Sequence, residues 1–152
     1  MLREMRRKKQ LLAMDDTKSI LKRCTNGVLA CLGDEGYPYA VPLSYVHYND
    51  KIYFHSAKVG HKMEALKQNP KVSFTIIAED SIVSPEYTTY FRSVIIFGRA
   101  RLVEGDEWKK SFEALVEKYS GEQPEAEKAN EIAKCSQACI VAIDMEHITG
   151  KE

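Results

Sequence analysis

The densest polar chemistry in this sequence is the run His55-Ser56-Ala57-Lys58-Val59-Gly60-His61-Lys62. It falls where a β-like run gives way to the helical segment HKMEALKQN, which Asn69-Pro70 stops. A helix start leaves backbone N–H groups unpaired and carries partial positive charge, so it attracts anions. Gly60 lets the backbone bend or come close, Lys58 and Lys62 add charge, and Ser56 adds a hydroxyl donor. Together they suit a single phosphate. The segment does not follow the Walker pattern, so it is not read as an ATP site. A capped helix with solvated lysines fits the same residues, and the segment alone leaves both readings open.

A second constellation comes from pairing across the Asn49-Asp50 turn. A two-residue loop sets Tyr48 opposite Lys51, Val46 opposite Tyr53 and Ser44 opposite His55. On the other face it sets His47 opposite Ile52, Tyr45 opposite Phe54 and Leu43 opposite Ser56. Ser44 and His55 are thereby expected to project together and shape a pocket, and a one-residue slip would undo this. Pro42 cannot donate to a ladder, so the strand is expected to be an edge or bulged there, with free backbone groups that can meet the rim of a flat heterocycle. Tyr87, Tyr90, Phe91 and Arg92 could stack on a ring or serve as ordinary core. The four histidines, His47, His55, His61 and His147, show no metal-ligand spacing. Ser44 and His55 lack a nucleophile elbow, which argues against a hydrolase.

These residues must be positioned by mostly β-like elements. Asp15, Asp16 or Thr17 can cap a short helix to Arg23, with Ile20, Leu21 and Cys24 inward. Gly27–Leu32, Tyr39–Tyr48 and Lys51–Ser56 then read as a β-meander. Val72–Ile77 is a fourth strand, Ala78–Tyr90 a long polar excursion, and Val94–Val103 a fifth strand. Trp108, Phe112, Leu115, Val116 and Tyr119 form the stripe of a helix over Asp106–Tyr119, and Glu125–Lys134 is helix-forming. Cys139–Ile143 is the sixth strand, and His147–Lys151 closes the chain. Strands joined by short turns, without regular βαβ alternation, predict an antiparallel barrel with helices packed outside.

Bulk properties agree with one globular domain over residues 1–152. The length can bury a core without disulfides or a structural metal. Lys+Arg and Asp+Glu balance at 22 each, so net charge selects no partner. Arg3, Arg6, Arg7, Lys8 and Lys9 make a basic N-terminus, read as a solvated, partly frayed arm. No apolar stretch is long enough to span a bilayer or to form a secretion signal, and a cytoplasmic protein is expected. Cys24, Cys31, Cys135 and Cys139 contain no C-x-x-C pair and read as small hydrophobes.

Several motifs, in order along nearly the whole chain, resemble the nitroimidazole-resistance branch of the pyridoxamine 5'-phosphate oxidase-like, FMN-binding split-barrel proteins. They are MRRKKQ (5–10), GYPYAVPLSYV (36–46), IYFHSAKVGHK (52–62), NPKVSF (69–74), YTTYFRSVIIFGRARLVE (87–104) and HITGK (147–151). The resemblance implies a mainly β fold, a six-stranded antiparallel split barrel of Greek-key type with flanking helices. It implies a homodimer with FMN at the subunit interface. Pro42, Leu43 and Ser44 would meet the isoalloxazine; His55, Ser56, Ala57, Gly60, His61 and Lys62 would line the phosphate and ribityl end. Tyr90, Ser93 and Val94 would complete the pocket, from the second subunit. The implied function is FMN-dependent oxidoreduction of a small molecule, nitroimidazoles included, with His55 the first candidate for a role beside the flavin and His61 the second. The polar C-terminal region that pyridoxamine phosphate oxidases use for their own substrate has no recognisable counterpart. Two alternatives stay open: a non-catalytic flavin or haem binder, and a small barrel that binds single-stranded nucleic acid. Zero net charge and the lack of a basic stripe speak against nucleic acid.

Overall fold

The computed structural model describes residues 1–152. One antiparallel sheet organises it, made of β1 (Asn26–Leu32), β2 (Pro38–Ser44), β3 (Val46–Tyr48), β4 (Lys51–Ser56), β5 (Lys71–Val83), β6 (Thr88–Val103) and β7 (Cys139–Lys151). In space the order is β2-β1-β5-β6-β7-β4-β3. Its two ends, β2 and β3, are separated in the chain by Tyr45 alone. The sheet therefore curls until its last strand continues into its first. This is the expected split barrel; the seventh strand arises because one of six physical strands is bent. Four helices flank it: α1 (Met14–Arg23), α2 (His61–Gln68), α3 (Gly105–Ser120) and α4 (Glu125–Lys134). No helix is long and apolar enough to cross a membrane.

Alternation along the strands fills the barrel. On β6, Val94, Ile96, Gly98 and Ala100 point inward while Ile95, Phe97, Arg99 and Arg101 point out. The inner cluster joins Phe54, Phe74, Ile76 and Ile96 to Ile20 and Leu21 of α1 and to Met63 and Leu66 of α2. A second cluster packs Phe112 and Leu115 of α3 on Val46, Tyr53, Val103 and Ile140. Trp108, half-buried, donates its Nε1–H to the Ala138 carbonyl at 2.9 Å.

The bend at Tyr45 is held from three sides. Its hydroxyl donates to the Leu21 carbonyl at 2.7 Å. The Tyr119 hydroxyl accepts from the Tyr45 N–H at 3.1 Å and lies 2.6 Å from the Tyr45 carbonyl, with the Thr25 carbonyl also in reach. Lys118 Nζ donates to the Tyr45 carbonyl at 3.2 Å and to the Cys24 carbonyl, and sits 4.2 Å from the Tyr45 ring centre. Burial lowers the pKa of this amine. The end of α3 thus clasps the point where the barrel closes.

Several expectations need correction. The run Tyr39–Tyr48 is two strands: Val46 faces Tyr53, His47 faces Ile52 and Tyr48 faces Lys51 as expected, but the ladder stops there. Ser44 pairs with Asn26 and Leu43 with Gly27 of β1, whereas His55 pairs with Ile140 and Ser56 with Cys139 of β7. A turn fixes register only until the strand bends away, and the clasp on Tyr45 bends it. The excursion Ala78–Tyr90 is instead the outer half of a β5–β6 hairpin, with Asp80 opposite Phe91 and Val83 opposite Thr88. Both faces of this ribbon are exposed and a bulge at Ala78 breaks its period, so no apolar alternation marks it. β7 likewise runs on through Lys151, its alternation interrupted by a bulge opposite Phe97 and Gly98. At Gly98 an added Cβ would lie 2.3 Å from the Asp144 carbonyl, so the bulge requires glycine.

The α1 cap is Ala13 rather than a polar residue, with the Thr17 hydroxyl donating to the Ala13 carbonyl at 3.1 Å. The basic N-terminus is docked at its C-terminal side: Leu11 bridges Lys151, and the Glu152 N–H donates to the Gln10 carbonyl at 2.9 Å. Among the cysteines only Cys31 is buried; Cys24, Cys135 and Cys139 are half-buried, Cys135 capping the C-terminus of α4 and Cys139 opening β7. The Asn49-Asp50 turn has both residues at positive φ, as a tight two-residue hairpin demands.

Candidate functional site

The β4–α2 junction is built as the sequence suggests. β4 ends at Ser56, buried, whose hydroxyl donates to the Ala57 carbonyl at 3.1 Å. Ala57, Lys58 and Val59 cross the surface, and Lys58 donates to Gln137 at 2.9 Å. Gly60 precedes the first turn of α2 with φ +133, a left-handed conformation that favours glycine. A Cβ at Gly60 would meet no atom within 4 Å, so the space beside the helix start is open. An anion can come up against the unpaired N–H groups there.

Three side chains surround that opening. Lys62 is half-buried, its Nζ 5.5 Å from the centre of the Phe54 ring, and burial lowers its pKa. The buried Cys31 lies near it, and burial raises the thiol pKa. The His61 ring lies 4.1 Å from the Tyr39 ring, and its Nε2 accepts the Asp34 N–H at 3.2 Å. In the neutral ring the proton then sits on Nδ1. His55 stands exposed on β4, five residues before Gly60, with no such engagement.

The remaining expected residues lie elsewhere on the barrel. Pro42, Leu43 and Ser44 sit at the far end of β2 from Tyr39, opposite Val28, Gly27 and Asn26. Pro42 and Ser44 are exposed, and Leu43 packs against the inner core. Ser93 and Val94 are buried on β6, opposite Lys151 and Gly150 of β7. His55 faces Ile140 at the other end of that same strand. The span from Ile140 to Lys151 is roughly 35 Å of strand path. Tyr90 lies further out on the β5–β6 arm, its hydroxyl donating to Glu86 at 2.5 Å. One chain therefore gathers the phosphate end but does not bring Tyr90, Ser93 and Val94 onto the same ladder.

The outer face of the barrel is uncovered. Cross-strand rows run Pro42, Val28, Thr75, Ile95, Thr149 and Ala40, Ala30, Ser73, Phe97, His147. Val28, Ile95 and Phe97 are exposed, as are Leu32 and Ile77 at the margins. On this face the exposed apolar side chains alternate with Ser73, Thr75 and Thr149. His147 stacks on Phe97, ring centres 6.3 Å apart, with its Nε2 buried and unpartnered.

Sequence reasoning missed other groups. A polar cavity of about 700 Å³ lies where the N-terminal segment meets the base of the arm, lined by Arg7, Lys9 and Lys151 among others. Its parts showed in the sequence as the MRRKKQ motif and as Tyr90, Phe91 and Arg92, but nothing local joined the two segments. Tyr39 and Asp34 beside His61 were also overlooked, since nothing local in sequence links them to α2. On the opposite side Arg101 grips Glu107 at 2.7 and 2.9 Å and Asp144 at 2.7 Å. Tyr53 donates to Glu107 as well, at 2.8 Å. These bonds hold the Glu107 carboxyl down to about 2.

The fold recurs in solved structures. A conserved hypothetical protein of Mycobacterium tuberculosis matches at TM-score 0.82 and 19% identity, over 97% of this chain and 90% of that one. A candidate 5-nitroimidazole antibiotic resistance protein from Bacteroides thetaiotaomicron matches at TM-score 0.77 and 21% identity, over 93% and 85%. An FAD-binding protein of Mycobacterium smegmatis matches at TM-score 0.63 and 20% identity, over 93% and 96%. No curated protein matches the sequence. The profile of the pyridoxamine 5'-phosphate oxidase family matches residues 14–152, so the chain belongs to that family of split-barrel proteins.

Proposed function

We propose that two copies of this chain hold FMN between them and move electrons from a donor to a small-molecule acceptor, nitroaromatic compounds being the first to try. The observation that carries the reading is the uncovered apolar face, which meets the β4–α2 opening at the β1–β2 turn. His61 reaches that turn through Asp34, and Leu32 and Tyr37 expose apolar surface beside it. A second copy on this face would bury the exposed residues of β1 and β6. It would also bring a second set of Tyr90, Ser93 and Val94 toward the first copy's phosphate end.

The residues fit the cofactor. The open space at Gly60, the free N–H groups of α2 and the Lys62 ammonium would hold the phosphate, with Ser56 and Ala57 along the ribityl chain. Pro42 and Ser44 are exposed on β2, an end strand of the sheet, where they could meet the rim of the ring system. Bound flavin supplies the electron transfer itself, while the protein orients it and excludes water. His61 is held by Asp34 and Tyr39, which suits a wall of the site. His55 has its imidazole free, and is the candidate to contact the acceptor. The structural likeness to an FAD-binding protein supports a flavin, and that to a candidate nitroimidazole-resistance protein supports the acceptor class; FMN is the choice that the single-phosphate opening favours.

The test is the visible absorption spectrum after incubation with FMN and desalting, with the molecular mass measured by light scattering. Retained flavin bands on a dimer support the reading. Lys62→Met is expected to weaken retention at least tenfold without changing the mass. A monomer that retains no flavin would refute it. Flavin that stays bound but accepts no electrons from reduced nicotinamide donors would replace catalysis with storage or sensing.

A further inference from the structure

We propose that the cavity between the N-terminal segment and the base of the β5–β6 arm binds an adenosine phosphate group. Three pieces of chain build it. The Leu11 bridge to Lys151 and the Glu152–Gln10 bond lay the N-terminal segment along the end of β7, while β6 flanks β7 on the other side through the Ser93–Lys151 pair. The cavity of about 700 Å³ lies within the range of nucleotide-sized pockets.

Its lining matches the ligand part by part. Arg7, Lys9 and Lys151 have no carboxylate partner, and Arg92 has only Glu152, at a loose 3.4 Å. Against these four cations stand two carboxylates, Glu79 and Glu152, so the cavity keeps an excess of positive charge. Arginine and lysine in this arrangement favour phosphate oxygens. Charge alone would suit any anion. Gln10 narrows the choice: its Oε1 is buried without a donor, and a base amino group or a ribose hydroxyl supplies one. Tyr90 and Phe91 are also among the lining residues; as neighbours on β6 they point to opposite faces, so one aromatic ring is turned to the ligand, and the Glu86 bond fixes the Tyr90 phenol. Such a ring stacks on a purine.

Two common redox ligands carry this group. One is the adenylate half of FAD, and the other is a nicotinamide dinucleotide that would deliver electrons to the flavin; this second source rests on the function proposed above. The probe is ADP, titrated by calorimetry into the FMN-treated protein at two salt concentrations. Saturable binding is expected, weakening with salt. The double variant Arg7→Ala/Lys9→Ala, at exposed positions, is expected to lose at least tenfold in ADP affinity while its FMN retention and circular dichroism stay unchanged. Gln10→Leu is the second variant, expected to weaken ADP more than inorganic pyrophosphate. Displacement of ADP by FAD or by NADPH identifies the source. Absence of ADP binding, or binding that neither variant alters, overturns the proposal. So does equal weakening of ADP and FMN by the double variant, which would mean that one site serves both. ADP binding by protein that never retains FMN would leave this pocket standing and refute the flavin reading instead.

Discussion

Replacing Tyr119 by Phe removes a single oxygen, and that oxygen sits where the barrel closes. The hydroxyl accepts from the Tyr45 N–H at 3.1 Å and donates to the Tyr45 carbonyl at 2.6 Å or to Thr25. The variant loses one accepted and one donated hydrogen bond. At about 1 kcal/mol net for each, the cost is about 2 kcal/mol. Compensation is limited. The Tyr45 carbonyl keeps Lys118, but its N–H falls back on the Thr25 carbonyl at 3.3 Å, and Tyr45 is fully buried. The ring of Tyr119 remains, so no cavity opens. Urea unfolding is the assay. With an m-value of about 2 kcal/mol/M, the midpoint should fall by about 1 M with the slope unchanged. Amide exchange should quicken at Ser44–Val46 before it does in β5 and β6. A midpoint shift below about 0.2 M would refute the claim that α3 holds the bend.

Three further outcomes follow from the same geometry. Glu107 has a folded pKa of about 2 against an ordinary 4.5, so its contribution is complete above pH 4.5 and is lost as pH falls toward 2. Glu107→Gln should flatten that acid limb at a cost on the order of 1 kcal/mol, its partial exposure being allowed for; an unaltered limb in acid unfolding would count against the pairing. Gly98→Ala drives a Cβ into the Asp144 carbonyl and should cost about 1–3 kcal/mol in thermal unfolding, so a neutral result would mean the bulge can relax. Phe97→Lys places charge in the middle of the uncovered face and should shift the protein to monomer in light scattering. An intact dimer would place the subunit contact elsewhere.

The parts legible in the sequence were those that local physics decides. The two-residue turn at Asn49-Asp50 set the β3–β4 register, because positive φ at both residues allows one tight hairpin. The stripe on α3 and the stop at Asn69-Pro70 were similarly local. Beyond Val46 the same register argument failed, since Tyr45 answers to Lys118 and Tyr119, some seventy positions away in sequence. The β5–β6 arm was illegible for another reason. A ribbon solvated on both faces has no apolar alternation to read, and Thr88, Thr89 and Tyr90 look like loop residues until Ser81–Val83 is seen beside them. At the candidate site the phosphate end is one contiguous segment and was visible. The separation of His55 from Ser93 along β7 was not, because it depends on the register of two ladders.

The strand order also bears on how the chain acquires its shape during synthesis. β1 and β2 can pair as soon as they are made, and β3 and β4 can do the same. The first pair next waits for β5, and β6 then joins β5. β4 has one other neighbour, β7, the strand made last, and β7 is also the second neighbour of β6. Until Cys139–Lys151 leaves the ribosome, the β3–β4 hairpin has no ladder to the rest of the sheet, and both β4 and β6 present open edges. Those edges are the part of the nascent chain most exposed to misassociation, and such non-local closure is slow. β7 then acts as a zipper that seals both at once, so a stalled or clipped product lacking it would be expected to aggregate rather than persist as a smaller barrel.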